Sequence, residues 1–243
     1  MRVKVKRVVL AAVLCMVLAV SASCGKDHTD TQEENAGTSG TEVSGTESGS
    51  TEEQKESAIE LPCELENGKL LVQSLFQSSV ENPDAGNEIG EDIGSLDILN
   101  QSEEYCISAE IKVTVEDGTE IVFTATDIPA GKTAWVFAPD NQSISQDSVC
   151  QKIEGTAQFG QTSLMEDQVM YSVEDTTITL QNLTENDLTD LSVYCHCLFE
   201  DVYFGGLTYC YPVELLPAGG TAVVEAADCF MGTAEVVAIR KNS

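Results

Sequence analysis

Basic residues are scarce in this chain. Of its 243 residues, 12 are Lys or Arg and 41 are Asp or Glu, which gives a formal net charge of −29 at pH 7. So strong a negative charge repels nucleic-acid phosphates and anionic lipid headgroups at long range. The composition therefore argues against nucleic-acid binding and against membrane attachment through charge.

The familiar signatures of enzymes are also missing. The sequence contains no GxSxG, P-loop, GxGxxG or HExxH motif. Of the two histidines, only His196 stands in the part that has a folding pattern. A nucleophilic triad or dyad would have to use His196, whose simpler interpretation is a strand histidine on a partly exposed face. We therefore predict no catalytic residue and no cofactor.

Metal sites need spacings that the sequence does not provide. There is no CxxC or HxxxH pair. In Cys195-His196-Cys197, the alternation of a strand turns the imidazole away from both thiols. Residues 82–87 offer oxygen ligands but lack the alternation and the terminal Glu of a calcium loop. No metal site is predicted.

An export signal stands at the start of the chain. Residues 1–23 combine a basic beginning, an apolar run from Val8 to Val20 and three small residues. A run of about 13 apolar residues falls short of a membrane-spanning helix and is typical of a signal peptide.

Cys24 follows these small residues directly and precedes Gly25 and a polar tail, which resembles the lipobox of bacterial lipoproteins. In that family the cysteine sulfur receives a diacylglyceryl group and the peptide is cut just before it. The family prefers Leu where this chain has Ser21. The resemblance implies a lipid-anchored cell-membrane protein facing the extracytoplasmic side, because two acyl chains hold a protein stably. The alternative is ordinary cleavage after Ala22, which would make the protein secreted.

Residues 24–60 are predicted to form a tether. Thr, Glu, Ser and Gly dominate this stretch and there is no aromatic residue. Such a segment cannot bury enough apolar surface to offset its chain entropy, so the composition predicts a disordered acidic linker. A flexible coil of about 34 residues reaches roughly 30–35 Å on average, enough to lift a domain clear of the lipid headgroups.

From Leu61 onward, short alternating apolar runs are broken by Gly, Pro, Asn and Asp, which indicates strands. Self-comparison of this part gives four matches in the same order. They pair the stretch from Leu96 with that from Ile178, Ala109 with Leu191, Ile128-Pro129-Ala130-Gly131 with Leu216-Pro217-Ala218-Gly219, and Gly155-Thr156-Ala157 with Gly232-Thr233-Ala234.

We interpret these matches as two related modules, residues 61–160 and 171–243. Antiparallel order with tight Pro-Gly turns favours a small β-sandwich of the immunoglobulin type in each. The predicted fold is therefore all-β, with two tandem antiparallel β-sandwich modules behind a disordered N-terminal tether. Residues 70–77 fit a strand or a short helix, and residues 81–94 are predicted to be a long loop.

The second module also resembles the FxLYD-like β domains of bacterial surface lipoproteins. The residues that carry the resemblance are Asn182 before an acidic turn, the alternating Leu191, Val193, Cys195 and Cys197, then Leu198-Phe199-Glu200-Asp201, and later Pro217-Ala218-Gly219. The first module has Glu116-Asp117-Gly118-Thr119 in place of the aromatic hairpin. The resemblance implies an extracellular accessory or interaction module and transfers no catalytic residue.

Export makes disulfides chemically accessible to the cysteines of the second module. Cys195 and Cys197 share one face of a predicted strand and lie too far apart along it to bond to each other. Either could bond to Cys210 or Cys229 on a neighbouring strand. The alternative is that they are small core hydrophobes.

Four of the chain's 14 aromatic residues cluster around a predicted hairpin, namely Tyr203, Phe204, Tyr209 and Tyr211. Aromatic residues on an exposed hairpin can bind sugars or proteins. The cluster therefore predicts a partner surface, with packing between sheets or between the modules as the alternative.

Together these features predict a non-enzymatic cell-surface lipoprotein that binds a partner or serves as a structural module at the bacterial envelope. The membrane is reached through the lipid anchor, and the expected partner is a protein or glycan of the envelope or cell wall. One alternative is an envelope hydrolase or metal-dependent enzyme. Another is a ligand-capture lipoprotein for a transporter, although such proteins need larger α/β lobes.

Overall fold

The computed structural model describes residues 58–242, and strands make up most of that part of the chain. The strands are β1 (Cys63–Leu65), β2 (Leu70–Asn82), β3 (Glu88–Asn100), β4 (Tyr105–Val115), β5 (Glu120–Ile128), β6 (Thr133–Phe137), β7 (Cys150–Gly160), β8 (Val169–Glu174), β9 (Thr177–Asn182), β10 (Leu188–Phe199), β11 (Val202–Phe204), β12 (Tyr209–Leu216), β13 (Thr221–Glu225) and β14 (Thr233–Lys241). Three short 3-10 turns occur at Glu66–Gly68, Pro83–Ala85 and Pro139–Asn141. The prediction of an all-β chain with antiparallel sheets is confirmed.

Residues 58–160, which we call the N-half, contribute two sets of antiparallel strands. β1, β2, β3 and β6 pair in that order, and β5, β4 and β7 form a separate sheet. Alternation along the strands gives each sheet a buried aliphatic face. Ile98 of β3 and Ile111 of β4, for example, are fully buried members of the same hydrophobic core.

Residues 169–242, which we call the C-half, repeat this order of pairing. β8, β9 and β13 pair as β2, β3 and β6 do. β12, β10 and β14 pair as β5, β4 and β7 do. The module boundaries given by the sequence, 61–160 and 171–243, stay a prediction.

A buried asparagine closes one turn of the N-half. Asn100, the last residue of β3, donates from Nδ2 to the carbonyls of Glu104 and Ile128, at 2.8 and 2.9 Å. Its Oδ1 accepts the backbone N–H and the hydroxyl of Ser102. One side chain thereby ties the end of β3 to the end of β5. The hydrogen bonds of this buried amide offset the hydration that it loses on folding.

The same network recurs in the C-half. Asn182, the last residue of β9, donates to the carbonyls of Asn186 and Leu216, again at 2.8 and 2.9 Å. Its Oδ1 accepts the backbone N–H and the hydroxyl of Thr184. The two asparagines therefore mark equivalent points of the two halves, as the sequence match between their strands predicts.

The fourth sequence match is out of register with this equivalence. In the N-half, Ile111 pairs with Gly155. Its counterpart Val193 pairs with Ile239, well beyond Gly232. The likeness of the two Gly-Thr-Ala stretches is thus not structural, because β7 begins several residues before its Gly155 while β14 begins just after Gly232.

β2 and β3 form one long hairpin, so the prediction of a loop over 81–94 is wrong. β2 runs on to Asn82, whose side chain accepts the N–H of Asp84 at 2.9 Å and caps a single 3-10 turn. Gly86 then takes the left-handed conformation, with φ 69°, that starts the return. Turn-forming residues are thus confined to the hairpin tip, and the ambiguous stretch 70–77 is strand.

One short strand joins the two halves. β11 runs antiparallel to β10, with Leu198 opposite Tyr203. It also runs parallel to β6, with Phe204 opposite Trp135. The result is a continuous sheet in the order β1-β2-β3-β6-β11-β10-β12. β14 belongs to the same sheet and pairs with β10.

The predicted signal peptide, the lipid-attachment residue Cys24 and nearly all of the tether lie outside the described residues. Within residues 58–242, no helix has the length and apolar character required to span a membrane.

Replacing Asn182 with Ala is expected to lower the free energy of unfolding by about 2–4 kcal/mol, because buried carbonyls lose their donors. Asn100→Ala should cost a similar amount, since its network is the same. Urea denaturation followed by circular dichroism measures both. Asn186→Ala is the matched control, because only its backbone takes part, and it should stay within about 0.5 kcal/mol of wild type. A loss for Asn182→Ala no larger than that of the control would contradict this role.

Candidate functional site

The aromatic hairpin is the junction between the halves. Tyr203 and Phe204 have 0% and 1% of their surface exposed. The partner-surface prediction is therefore wrong for these two residues. β11 lies between β6 and β10 in the sheet, the ring of His196 covers Tyr203, and the rings of Trp135 and Phe137 cover Phe204. The alternative of packing between the two halves describes them correctly.

Tyr209 and Tyr211, the other two residues of the predicted surface, are both partly buried. The hydroxyl of Tyr209 donates to Oδ1 of Asp84 at 3.4 Å, and that of Tyr211 donates to Oδ2 of Asp228 at 2.6 Å. Both hydroxyls are thus already bonded within the chain, and a partner would meet the remaining ring surface.

Two glycines let the hairpin approach the N-half. Gly205 has φ 103°, and a Cβ on Gly206 would lie 2.3 Å from the carbonyl oxygen of Thr124. The backbone there bonds across the junction: Gly205 N–H donates to Trp135, and the N–H of Thr126 donates to Gly206, at 3.0 and 2.8 Å. No larger residue fits at Gly206 without moving the strands apart.

The carboxylate of Asp84 binds the backbone that follows β11. It accepts the backbone N–H of Gly206 at 2.6 Å and that of Leu207 at 3.3 Å. Burial raises the pKa of Asp84, while these two bonds and the one from Tyr209 act in the opposite direction. The tip of the β2–β3 hairpin is thereby fastened to the C-half.

An aromatic cluster lies beside this contact. The indole of Trp135 packs against Phe76, Phe137 and Phe204, with ring centroids 5.2–5.4 Å apart. The contact with Phe204 is edge-to-face, a favoured arrangement of aromatic rings. Trp135 is the only tryptophan in the chain, so its emission reports on this junction.

His196 lies fully buried at the junction, so its interpretation as a partly exposed histidine is wrong. Its ring stacks on Tyr203, with centroids 4.3 Å apart, and its Nε2 is 2.8 Å from the carbonyl oxygen of Thr126. Burial lowers the pKa of His196 to about 4. The imidazole is therefore neutral at physiological pH and shielded from solvent.

Two ion pairs bridge the halves next to this ring. Arg240 Nη2 lies 2.7 Å from Oδ1 of Asp127, whose side chain is only 6% exposed. Lys132 Nζ lies 3.1 Å from Oε2 of Glu235, and Oε1 of the same carboxylate accepts the hydroxyl of Tyr203 at 2.9 Å. We call His196, Tyr203, Glu235, Asp127, Arg240 and Lys132 the polar seam.

The polar seam has the residue types of a catalytic site, but His196 and Tyr203 are fully buried and Asp127 nearly so. Each side chain is engaged with the opposite half or with a neighbour in the seam, and the histidine is enclosed. Two concavities on the described surface, of about 200 and 490 Å³, are lined by neither histidine nor cysteine. Among residues 58–242, no group of three or more His, Cys, Asp or Glu is arranged to hold a metal ion.

The seven cysteines of the described residues are free thiols. Cys210 is exposed and lies opposite Tyr194, whereas Cys195 and Cys197 point to the other face of β10 and are buried. A bridge from either of them to Cys210 is therefore excluded by the strand faces. Cys229 is buried beside Cys195 and Cys197.

The chain matches no protein-family model and no curated protein. The likeness to FxLYD-like domains remains the resemblance stated from the sequence.

Sequence reasoning found the hairpin and missed most of the polar seam. Asp127 and Glu235 of the seam, and Asp84 outside it, belong to different strands or turns, and no spacing along the chain brings them together. The one usable signal was Gly205-Gly206 inside an aromatic run, since adjacent glycines often mark a close backbone approach.

Gly206→Ala is expected to displace the hairpin, because the added Cβ would clash with the backbone of Thr124. The emission of Trp135 should shift to longer wavelength and the urea midpoint should fall. Gly160→Ala is the matched control, since its Cβ would meet Ile107 at an ordinary 3.6 Å. Emission and midpoint equal to wild type in Gly206→Ala would contradict the proposed close contact.

His196 makes stability depend on pH. Its pKa is about 4 when folded and about 6.5 when unfolded, so between these values the unfolded chain binds more protons. The free energy of unfolding should fall by about 3 kcal/mol more in wild type than in His196→Gln as the pH drops from about 6.5 to 4. Urea denaturation across this range measures the difference. His28→Gln is the control, and it should follow wild type throughout.

Proposed function

We propose that the protein is a non-enzymatic lipoprotein of the bacterial cell envelope, with residues 58–242 acting as a binding or structural module outside the membrane. The observation that best supports this is the polar seam. Its histidine, carboxylates and cations hold one half of the molecule to the other, a structural task for groups that elsewhere perform chemistry. We further propose that the halves are tandem immunoglobulin-like sandwiches of common origin.

The leader sequence supports the location. An acyl anchor at Cys24 and a polar linker would place the module about 30–35 Å from the bilayer on average. The high negative charge opposes direct contact with anionic headgroups and so favours a position clear of them. The proposed partner is a protein or glycan of the envelope or cell wall, and the ring surfaces of Tyr209 and Tyr211 are candidates for part of that contact.

The junction also supports a structural role. Because β11 pairs with strands of both halves, the two halves share one sheet and a bending motion between them would break backbone hydrogen bonds. A ligand-capture protein of the transporter type closes two lobes around a cleft, and such closure needs a hinge. The pairing through β11 favours a rigid module.

The test is the attachment of the full chain expressed in a Gram-positive host. Wild type should partition into detergent and carry the mass of a diacylglyceryl group on Cys24, whereas Cys24→Ala should appear in the medium. Protease added to intact cells should release a folded fragment beginning near residue 58, because the linker is predicted to be the accessible part.

Cys15→Ala is the matched control, since Cys15 lies within the leader and should have no effect on attachment. Release of both wild type and Cys24→Ala with an N-terminus at Ser23 would overturn the anchor and make the protein a secreted one.

A further inference from the structure

Three buried thiols meet in the core of the C-half. Cys195 and Cys197 occupy alternate positions of β10, and Cys229 lies in the loop between β13 and β14. None of the three has exposed surface. Both of the other thiols act on the pKa of Cys229 as side-chain neighbours, and the carbonyl oxygen of the residue before it, Asp228, lies 3.9 Å from Cys197 Sγ. The group therefore has a central sulfur and two flanking ones.

The loop that carries Cys229 is fixed against β10. The N–H of Cys229 donates to Ala226 at 3.0 Å, and the N–H of Gly232 donates to Cys229 at 3.4 Å. Gly232 lies so close to β10 that a Cβ on it would be 2.0 Å from the carbonyl oxygen of Leu198. Cys197 Sγ lies 3.9 Å from the carbonyl oxygen of Asp228. The thiol contacts are thus held by backbone packing rather than by the rotamers alone.

We propose that Cys229 is the required member of a single disulfide with two alternative positions, bonded either to Cys195 or to Cys197. The two β10 thiols cannot bond to each other, because alternate residues of a strand lie close to 7 Å apart at their α-carbons. Cys210 faces away from the group. One bridge at a time is therefore formed, and one thiol is left beside it.

Formation of the bridge needs an oxidant, such as a low-molecular-weight disulfide. Cys229 and one β10 thiol each lose a proton and an electron as the S–S bond forms, and the small disulfide is reduced to two thiols. The pKa of Cys197 is raised, first by its contact with Cys229 and then by burial. Because few thiolates are then present, oxidation of the folded protein is slow and requires opening of the loop.

The remaining thiol can move the bridge without further oxidation. With Cys195 bonded to Cys229, the Cys197 thiolate attacks the Cys229 sulfur, a new S–S bond forms, and Cys195 leaves as a thiolate that takes up a proton. The redox state of the protein is unchanged. Both positions of the bridge should therefore be found together once oxidation is complete.

The test maps disulfides in the exported full chain. The protein is reduced, freed of reductant, incubated with glutathione disulfide, then denatured, alkylated and digested without reduction for mass spectrometry. Expected are peptides that join Cys229 to the Cys195–Cys197 segment, with fragment ions from both positions. Three alkylated thiols, a bridge that excludes Cys229, or a single position alone would overturn the proposal.

Alanine variants test the role of each sulfur. Cys195→Ala and Cys197→Ala should each retain one bridge to Cys229, whereas Cys229→Ala should leave both β10 thiols alkylated. Cys210→Ala is the control and should form the same bridges as wild type. Thermal melts in reductant establish that each variant folds, and for any that does not, the wild-type map alone decides the outcome. A bridge to Cys195 or Cys197 that survives in Cys229→Ala contradicts the proposal.

Discussion

The structure depends on one short strand that pairs with both halves at once and joins their strands into one sheet. β11 has three residues, yet it pairs with β10 on one side and with β6 on the other. Backbone groups buried away from water must be paired, so neither edge of this strand can be withdrawn without exposing or orphaning its partners. The glycines that follow β11 permit its close approach to the N-half, and the carboxylate of Asp84 binds the backbone there.

The polar seam follows from the same insertion. Bringing the ends of β5 and β6 against β10 and β14 encloses polar groups from both halves, and Asp127 and His196 lose nearly all of their hydration. Asp127 is compensated by Arg240, and His196 remains neutral between Tyr203 and Thr126. In a chain that carries a net charge of −29, cations are scarce, and two of them, Lys132 and Arg240, pair with carboxylates across the junction.

Strand content, turn positions and the equivalence of Asn100 with Asn182 could be predicted because alternation, Pro-Gly turns and internal likeness are local signals. The length of the β2–β3 hairpin could not, since acidic and glycine residues in an exposed strand resemble a loop. The junction was also beyond reach, because His196 and Thr126 are far apart in sequence. The aromatic residues of the hairpin could be identified from the sequence. Composition alone does not tell whether such residues lie on an exposed surface or in a strand that is buried on both faces.

In the C-half, one strand edge lacks the partner that its equivalent in the N-half has. β13 holds in the C-half the place that β6 holds in the N-half, yet among residues 58–242 it pairs with β9 alone. Its outer edge carries unpaired backbone groups of the kind that β11 satisfies on β6, with Val223 66% exposed beside them. Open edges invite pairing with other chains, and natural proteins restrain this with short strands and charge. The brevity of β13 and its terminal Glu225 are such restraints, so the same open edge that could bind another strand also carries features that oppose unspecific pairing.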